Sequence, residues 1–317
     1  PLLFLIYVND ITCACKSFEL VMYADDSTLN ASLNNFNNNT SNNGVDNEIN
    51  SELAKITHWL DVNKLSLNVT KTKFMIFHQP QKKFRTPVIK MKNTQIEQVD
   101  SFNFLGIVID THLNWKAHIE KVSSKISKAL GILSKLKRIL PIGPKLKIYN
   151  AIILSHINYG ILVWGFKCSS LKVIQKKVIR TITCSKYNAH TDPLFKKMGL
   201  LKVEDIFTIA KIKFYFRYLN QTLPVNIQNL PLLSNMDIHT HNTRYAVNLF
   251  VHRYSHSFAK NCLRYDLPET INSLPTTIRE KFYTHSLQGL VRYAKTYYLQ
   301  SYQEICHIPN CYICRNQ

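Results

Sequence analysis

Phe18 to Asn30 reads FELVMYADDSTLN, and the fold hangs on how that stretch is taken. FELVMY (18–23) has the aromatic and β-favouring content of a strand, and STLNAS from Ser27 returns as its hairpin partner. The tight connection between them is Ala24-Asp25-Asp26. Side-by-side carboxylates repel, and folding gains nothing by placing them at the tip of an apolar hairpin. A divalent cation removes the difficulty, because Mg²⁺ takes hard oxygen ligands and is commonly held by one or two carboxylates plus substrate phosphates. The plainer alternative is a solvated Asp-Asp in a turn, where Asp is common. An aromatic-x-Asp-Asp tetrapeptide is short enough to arise by chance, so its surroundings must decide.

Upstream, PLLFLIYVNDI (1–11) reads as a helix entered at its first turn by Pro1, whose missing N–H costs nothing there. Downstream, residues 34–47 are Asn-rich and read as a polar loop. From Asp46 a helix is predicted, since Ile49, Leu53, Ile56 and Leu60 recur at spacings of 4, 3 and 4. LSLNVTKTKFMIFH (65–78) leans to β, a basic loop with Pro80 and Pro87 follows, and a further strand is predicted over 102–109. At Trp115 the character changes. Ile119, Val122, Ile126, Leu130, Leu133, Leu136 and Leu140 run at intervals of 3 and 4, an amphipathic helix ended by Pro141 and Pro144. A second, apolar helix over 145–164 should be buried, and a third is predicted over 171–183. The remainder reads as helical with interleaved aromatics (KIKFYFRYL from Lys211), broken at Pro224, Pro231, Pro268 and Pro275.

Charge divides the chain in the same place. Of 317 residues, 40 are Lys or Arg and 20 are Asp or Glu, a net charge of +20. Residues 1–115 hold 10 basic and 11 acidic residues, against 30 and 9 in residues 116–317. A polyanionic partner, nucleic acid first, is therefore expected on the C-terminal two-thirds. The longest apolar stretch, 151–166, is interrupted by Ser155, His156 and Asn158, which argues against a membrane span. The apolar start has neither a preceding basic region nor a small-residue cleavage site, so it does not read as a secretory signal. Eight scattered cysteines read as reduced intracellular thiols, nucleus or cytoplasm unspecified, rather than as a disulfide framework. The chain begins with Pro and reads as part of a longer one.

The order of these segments resembles the C-terminal half of a reverse transcriptase from non-LTR (LINE-type, jockey-like) retrotransposons. PLLFLIYVNDI looks like the helix after that family's Gly-rich template-contacting motif, and YADD (23–26) like the metal-binding hairpin of its palm. KLSLNVTKTKFMIF (64–77) is similar to the next palm motif, and FLGI (104–107) to the primer-grip hairpin. HLNWKAHIEKVSSKISKALGIL (112–133) and the helices after it resemble the thumb, and INSLPTTI (271–278) echoes a WNSLP-like segment near the family's C-terminus.

The resemblance implies an RNA-directed DNA polymerase acting on an RNA template, a DNA primer and dNTPs. Asp25 would hold the catalytic metals, Mg²⁺ or Mn²⁺, with Asp26 beside it as a weaker or outer ligand. Two such ions would activate the primer 3′-hydroxyl, polarise the α-phosphate and neutralise the pyrophosphate in an in-line displacement. Tyr23 would pack under the hairpin, Lys71 would stand near the leaving phosphates, and Phe104, Leu105 and Gly106 would position the primer. The family also needs a third carboxylate on an earlier strand and a fingers region, and neither is matched within these 317 residues. Two carboxylates from one turn cannot by themselves hold two Mg²⁺ in octahedral geometry. The chain alone is therefore expected to be catalytically incompetent, with binding of RNA–DNA duplex without catalysis, or a decayed copy, as the other readings.

Duplex binding would rest on the basic face of the 116–140 helix: Lys116, Lys121, Lys125, Lys128, Lys135, Lys137 and Arg138, opposed only by Glu120. A charge run can equally be a solvated face. Cys306, His307, Cys311 and Cys314 are weak zinc candidates; zinc is disfavoured because adjacent Cys306 and His307 can hardly both ligate one tetrahedral ion. The resulting expectation is an α+β chain: a partial palm with a small antiparallel sheet (1–112), a basic helical thumb (113–220) and a helical C-terminal region (221–317).

Overall fold

The computed structural model describes residues 2–32, 44–81, 85–238, 246–254 and 259–303. These fall into two compact units, residues 1–114 and 115–317. The first mixes helices with two-stranded sheets and the second is helical, so the expected α+β class holds.

The first unit begins with helix α1 (Leu2–Tyr7) and a 3₁₀ turn (Asn9–Cys13). Strands β1 (Glu19–Tyr23) and β2 (Asp26–Asn30) then pair antiparallel from Glu19↔Asn30 to Tyr23↔Asp26. Helix α2 (Gly44–Val62) starts inside the stretch read as loop, and its Ile49, Leu53 and Ile56 are buried as their spacing predicts. They pack with Ile11, Cys15, Ile89, Met91 and Ile96 into this unit's core. Side chains of α2 also substitute for a strand partner. Asn50 accepts from Lys90 N at 2.8 Å and donates to Val88 O at 2.9 Å, while Asp46 accepts from Val88 N and Arg85 Nη2, each at 3.1 Å.

The remaining strands are short. Strand β3 (Lys73–Phe74) pairs parallel with β6 (Glu97–Gln98), β4 (Lys90–Met91) antiparallel with β5 (Thr94–Gln95), and β7 (Ser101–Phe104) antiparallel with β8 (Ile107–Asp110). The β-leaning block at 65–78 is thus mostly not strand. Asn68 accounts for it: its Oδ1 accepts from Lys71 N at 3.2 Å and from Thr70 Oγ1 at 2.7 Å, a local turn that competes with a ladder. Residues 102–109, read from composition as one strand but by the resemblance as a hairpin at FLGI, form a hairpin turning at Leu105 and Gly106, both with positive φ (45° and 85°) as a two-residue hairpin turn of that type requires.

The second unit opens with α3 (Lys116–Lys135), shorter than the 116–140 predicted. Lys137 shows why. Its carbonyl would need the N–H of residue 141, which is Pro, and it accepts instead from Lys145 Nζ at 2.6 Å and Cys184 Sγ at 3.2 Å. The predicted 145–164 helix is broken, and only one face of it is buried: Tyr149, Ile153, Ile157, Ile161 and Trp164 are core, while Ile152, Tyr159 and Val163 are exposed. It runs as α4 (Ile142–Ile148), a π-helical stretch (Tyr149–Leu154), α5 (Ser155–Asn158) and, after Gly160 at φ 63°, α6 (Ile161–Trp164). Trp164 Nε1 donates to the freed carbonyl of Tyr159 at 3.0 Å. No single helix among the described residues is long and apolar enough to cross a membrane. The bent pair 142–158 and 161–167 is apolar because Tyr149, Ile153, Ile157 and Trp164 are core.

Helices α7 (Ser169–Ile182), α8 (Asp192–Met198) and α9 (Val203–Leu219) follow, and α7 packs along α3. Short helices α10 (Val225–Gln228) and α11 (Asn235–Ile238) lead to α12 (Leu263–Ser273), α13 (Thr276–Arg279), α14 (Lys281–Thr284) and α15 (Leu287–Ser301). Residues on both sides of position 220 share one cluster, with Ile212 and Tyr215 against Leu267, Ile278 and Leu290. At Gly165 there is no room for a side chain, since a Cβ there would run into the Phe207 ring.

Candidate functional site

Asp25 and Asp26 are exposed at the tip of the β1–β2 hairpin. Tyr23↔Asp26 is the last ladder pair, so the turn itself is only Ala24 and Asp25. Two-residue hairpin turns call for left-handed backbone, and Ala24 supplies it at φ 55°. A side chain in that region costs roughly 1–2 kcal/mol, which leaves a strained, stiff turn beneath the two acids. Tyr23, expected to pack under the hairpin, is 65% exposed instead.

The pair passes only part of a metal-site test. Its oxygens are hard, adjacent and open to solvent, which suits one Mg²⁺ that keeps most of its water. Among the described residues no group of three or more His, Cys, Asp or Glu side chains could hold a metal ion. Two ions find no adequate ligand set here. Cys306, His307, Cys311 and Cys314 lie outside the described residues.

Lys71 is exposed on the Asn68 turn, two residues before β3, not on a strand. Phe104 and Leu105 are half-buried and Gly106 is exposed at the β7–β8 turn. The positive φ of Gly106 gives that glycine a local reason to be there, apart from any approach to a nucleic-acid backbone.

On α3, Lys121, Lys125, Lys128 and Lys135 fall at spacings of 4, 3 and 7, one stripe along the helix, with Lys116 off it. Lys125, Lys128 and Lys135 are exposed. Partial burial and the neighbouring charge of Lys125 push the Lys121 ammonium below its usual range, a cost that a phosphate would relieve. Lys137 and Arg138 lie beyond the end of α3, and Lys137 is half-buried. Helix α7, expected over 171–183 but given no binding role from sequence, carries Lys176 and Lys177 and packs beside α3. The pattern that could have revealed them is the KK pair at 176–177, five and six residues past Leu171, in a chain segment with few acids.

One side of KIKFYFRYL packs into the core, while Lys213 and Arg217 are exposed. Ile212, Phe214 and Tyr215 are buried, and so is Lys211, which pairs with Asp266 at 2.5 Å and donates to Thr270 Oγ1 at 2.8 Å. Burial pushes the Lys211 ammonium down while Asp266 opposes it.

No family model and no solved structure matches the chain. Over 219 residues it is 24% identical to the probable RNA-directed DNA polymerase from transposon BS of Drosophila melanogaster, covering 65% of this chain and 24% of that protein. Over 126 residues it is 23% identical to the RNA-directed DNA polymerase from mobile element jockey of the same organism, covering 38% of this chain and 14% of that protein. The matches thus span about a quarter or less of those relatives' lengths. The chain is similar over part of its length to RNA-directed DNA polymerases of mobile elements, as the resemblance implied.

Proposed function

We propose that the chain is a C-terminal portion of an RNA-directed DNA polymerase of a non-LTR mobile element, carrying the metal-binding hairpin, the primer-side hairpin and the duplex-gripping thumb. The observation that carries this reading is the two-residue turn that presents Asp25 and Asp26 together, in a chain similar over part of its length to such polymerases. Asp25 and Asp26 would hold a divalent cation, Mg²⁺ or Mn²⁺. When bound, that ion lowers the pKa of a primer 3′-hydroxyl and offsets charge on the reacting phosphate. The β7–β8 turn positions the primer strand. The α3 lysines, with Lys176 and Lys177, neutralise phosphates along the duplex without reading sequence. Lys71, on its exposed turn, is the cation offered to the phosphates of the incoming nucleotide.

Chemistry requires a third carboxylate from outside this chain. As it stands the chain binds primer–template and does not extend it. A second reading, nucleic-acid binding without any catalytic role, is favoured by the same lack of a third ligand among the described residues.

Filter binding of the full chain to an RNA–DNA primer–template across a salt series tests the thumb. The logarithm of affinity should fall steeply with that of salt, and Lys125→Ala/Lys128→Ala/Lys135→Ala should reduce the slope by about 0.9 for each phosphate no longer neutralised. A flat salt response, or an unchanged slope in the variant, would overturn the reading.

A further inference from the structure

The second unit contains a cleft that none of the polymerase elements above uses. Its volume is about 480 Å³, and the π-helical stretch, α6, α9 and α15 contribute to its walls. The interior is largely apolar, with Leu154, Ile161 and Phe214 among its lining. Three cations, Lys213, Arg217 and Lys295, belong to the same lining. All three are exposed, and none forms an ion pair with another described residue. Lys213 and Arg217 stand four residues apart on α9, where like charges repel, so the helix itself gains if an anion sits between them. Asn150 and Asn158, also exposed in the lining, add amide donors and acceptors.

An apolar chamber rimmed by unpaired cations and amides selects an occupant with a flat apolar body, polar edges and an attached anion. A purely aliphatic ligand leaves the cations and amides unused. We infer that this cleft receives one unpaired nucleotide of a single-stranded nucleic acid, its base in the apolar chamber and its phosphate on Lys213, Arg217 and Lys295. The volume lies in the range of sites for ligands of that size. Arg217 can meet a phosphate with two N–H donors, Phe214 offers an aromatic surface, and the asparagines can reach a base edge. A paired base stays in its stack, so the site discriminates single strands from duplex. The inference takes the source of its ligand from the nucleic-acid reading above but uses none of the α3 lysines, so the two fail separately.

Fluorescence anisotropy of the full chain with labelled oligouridine, oligothymidine and a blunt RNA–DNA duplex tests it. Ala210→Phe places a ring in the cleft and leaves every charge in place. It should weaken single-strand binding about tenfold, the size of one forfeited base stack, and leave duplex binding unchanged. Lys213→Ala/Lys295→Ala should lower the single-strand salt slope by about 0.7 for each phosphate no longer neutralised. The α3 triple variant should show the converse, weakened duplex binding with the cleft intact. Equal loss on both oligonucleotides assigns base and phosphate, and loss confined to oligouridine adds the 2′-hydroxyl to the recognised groups. Because Ala210→Phe could disturb packing, photocrosslinking of the unaltered chain to a 4-thiouridine strand decides independently, with adducts expected on α9 or the 149–154 stretch. Adducts confined to α3 and α7, equal losses on duplex and single strand, or an acyl chain retained in the cleft by native mass spectrometry would each overturn the inference.

Discussion

Tyr23 and Asp26 close the β1–β2 ladder as its last pair, which leaves Ala24 and Asp25 alone in the turn and places the two acids in different settings, one in the loop and one on the strand. Ala24 pays for this with a left-handed backbone. Ala24→Gly relieves that strain while making the unfolded chain more flexible, and the first effect is the larger. The first unit should gain about 0.5–1 kcal/mol, read as a higher denaturation midpoint. An unchanged or lower midpoint would mean that the turn is not strained.

Gln175 should be the costliest polar residue to replace in the helical unit. Its Nε2 donates to Tyr149 Oη at 2.8 Å and Leu201 O at 2.9 Å, and its Oε1 accepts from Val203 N at 2.9 Å. Burial, with the Gln175 hydrogen bond opposing, leaves the Tyr149 phenol pushed up to about 12, so it stays neutral throughout. Gln175→Leu orphans the buried Tyr149 hydroxyl and Val203 N–H and the half-buried Leu201 carbonyl, and should cost about 2–4 kcal/mol. Tyr149→Phe, which leaves Gln175 two of its three bonds, should cost about 1 kcal/mol. Chemical denaturation of the two variants checks the order, and a Tyr149→Phe cost equal to that of Gln175→Leu would refute the hub.

Acid should weaken the helical unit through His118. The ring is buried against Trp164, with centroids 5.3 Å apart. Burial first, then the charges of Lys121 and Lys125, holds the imidazole below its ordinary 6.5. Burial and Lys125 move His156 the same way. The unfolded chain therefore takes up these protons at higher pH than the folded one. Stability is full above about 6.5 and declines as pH falls below it, by at most about 1.4 kcal/mol per pH unit for each group. Denaturation midpoints between neutral and mildly acidic pH should fall, and His118→Phe should flatten the fall. An equal slope in the variant would assign the effect elsewhere.

What the sequence disclosed followed local rules. The β1–β2 hairpin, the buried face of α2 and the stripe of α3 are all written as periodicity over neighbouring residues. The misreadings came from single side-chain groups that periodicity and composition do not register. Leu136 and Leu140 keep the helical spacing past Lys135, yet the helix ends because Pro141 has no N–H and Lys145 and Cys184 take up the Lys137 carbonyl. Asn68 bends a segment whose composition favours strand. The cleft cations were invisible for a different reason, since Lys213 and Arg217 share a lining with Lys295 only once α9 and α15 are packed together.

Whether the twin acids bind metal is decided most directly by Mn²⁺ titrated into the isotope-labelled full chain and followed by the broadening of backbone amide resonances. The account predicts broadening centred on residues 23–28, abolished in Asp25→Asn/Asp26→Asn. Sharp resonances at that turn throughout the titration, or broadening that survives in the double variant, would contradict it.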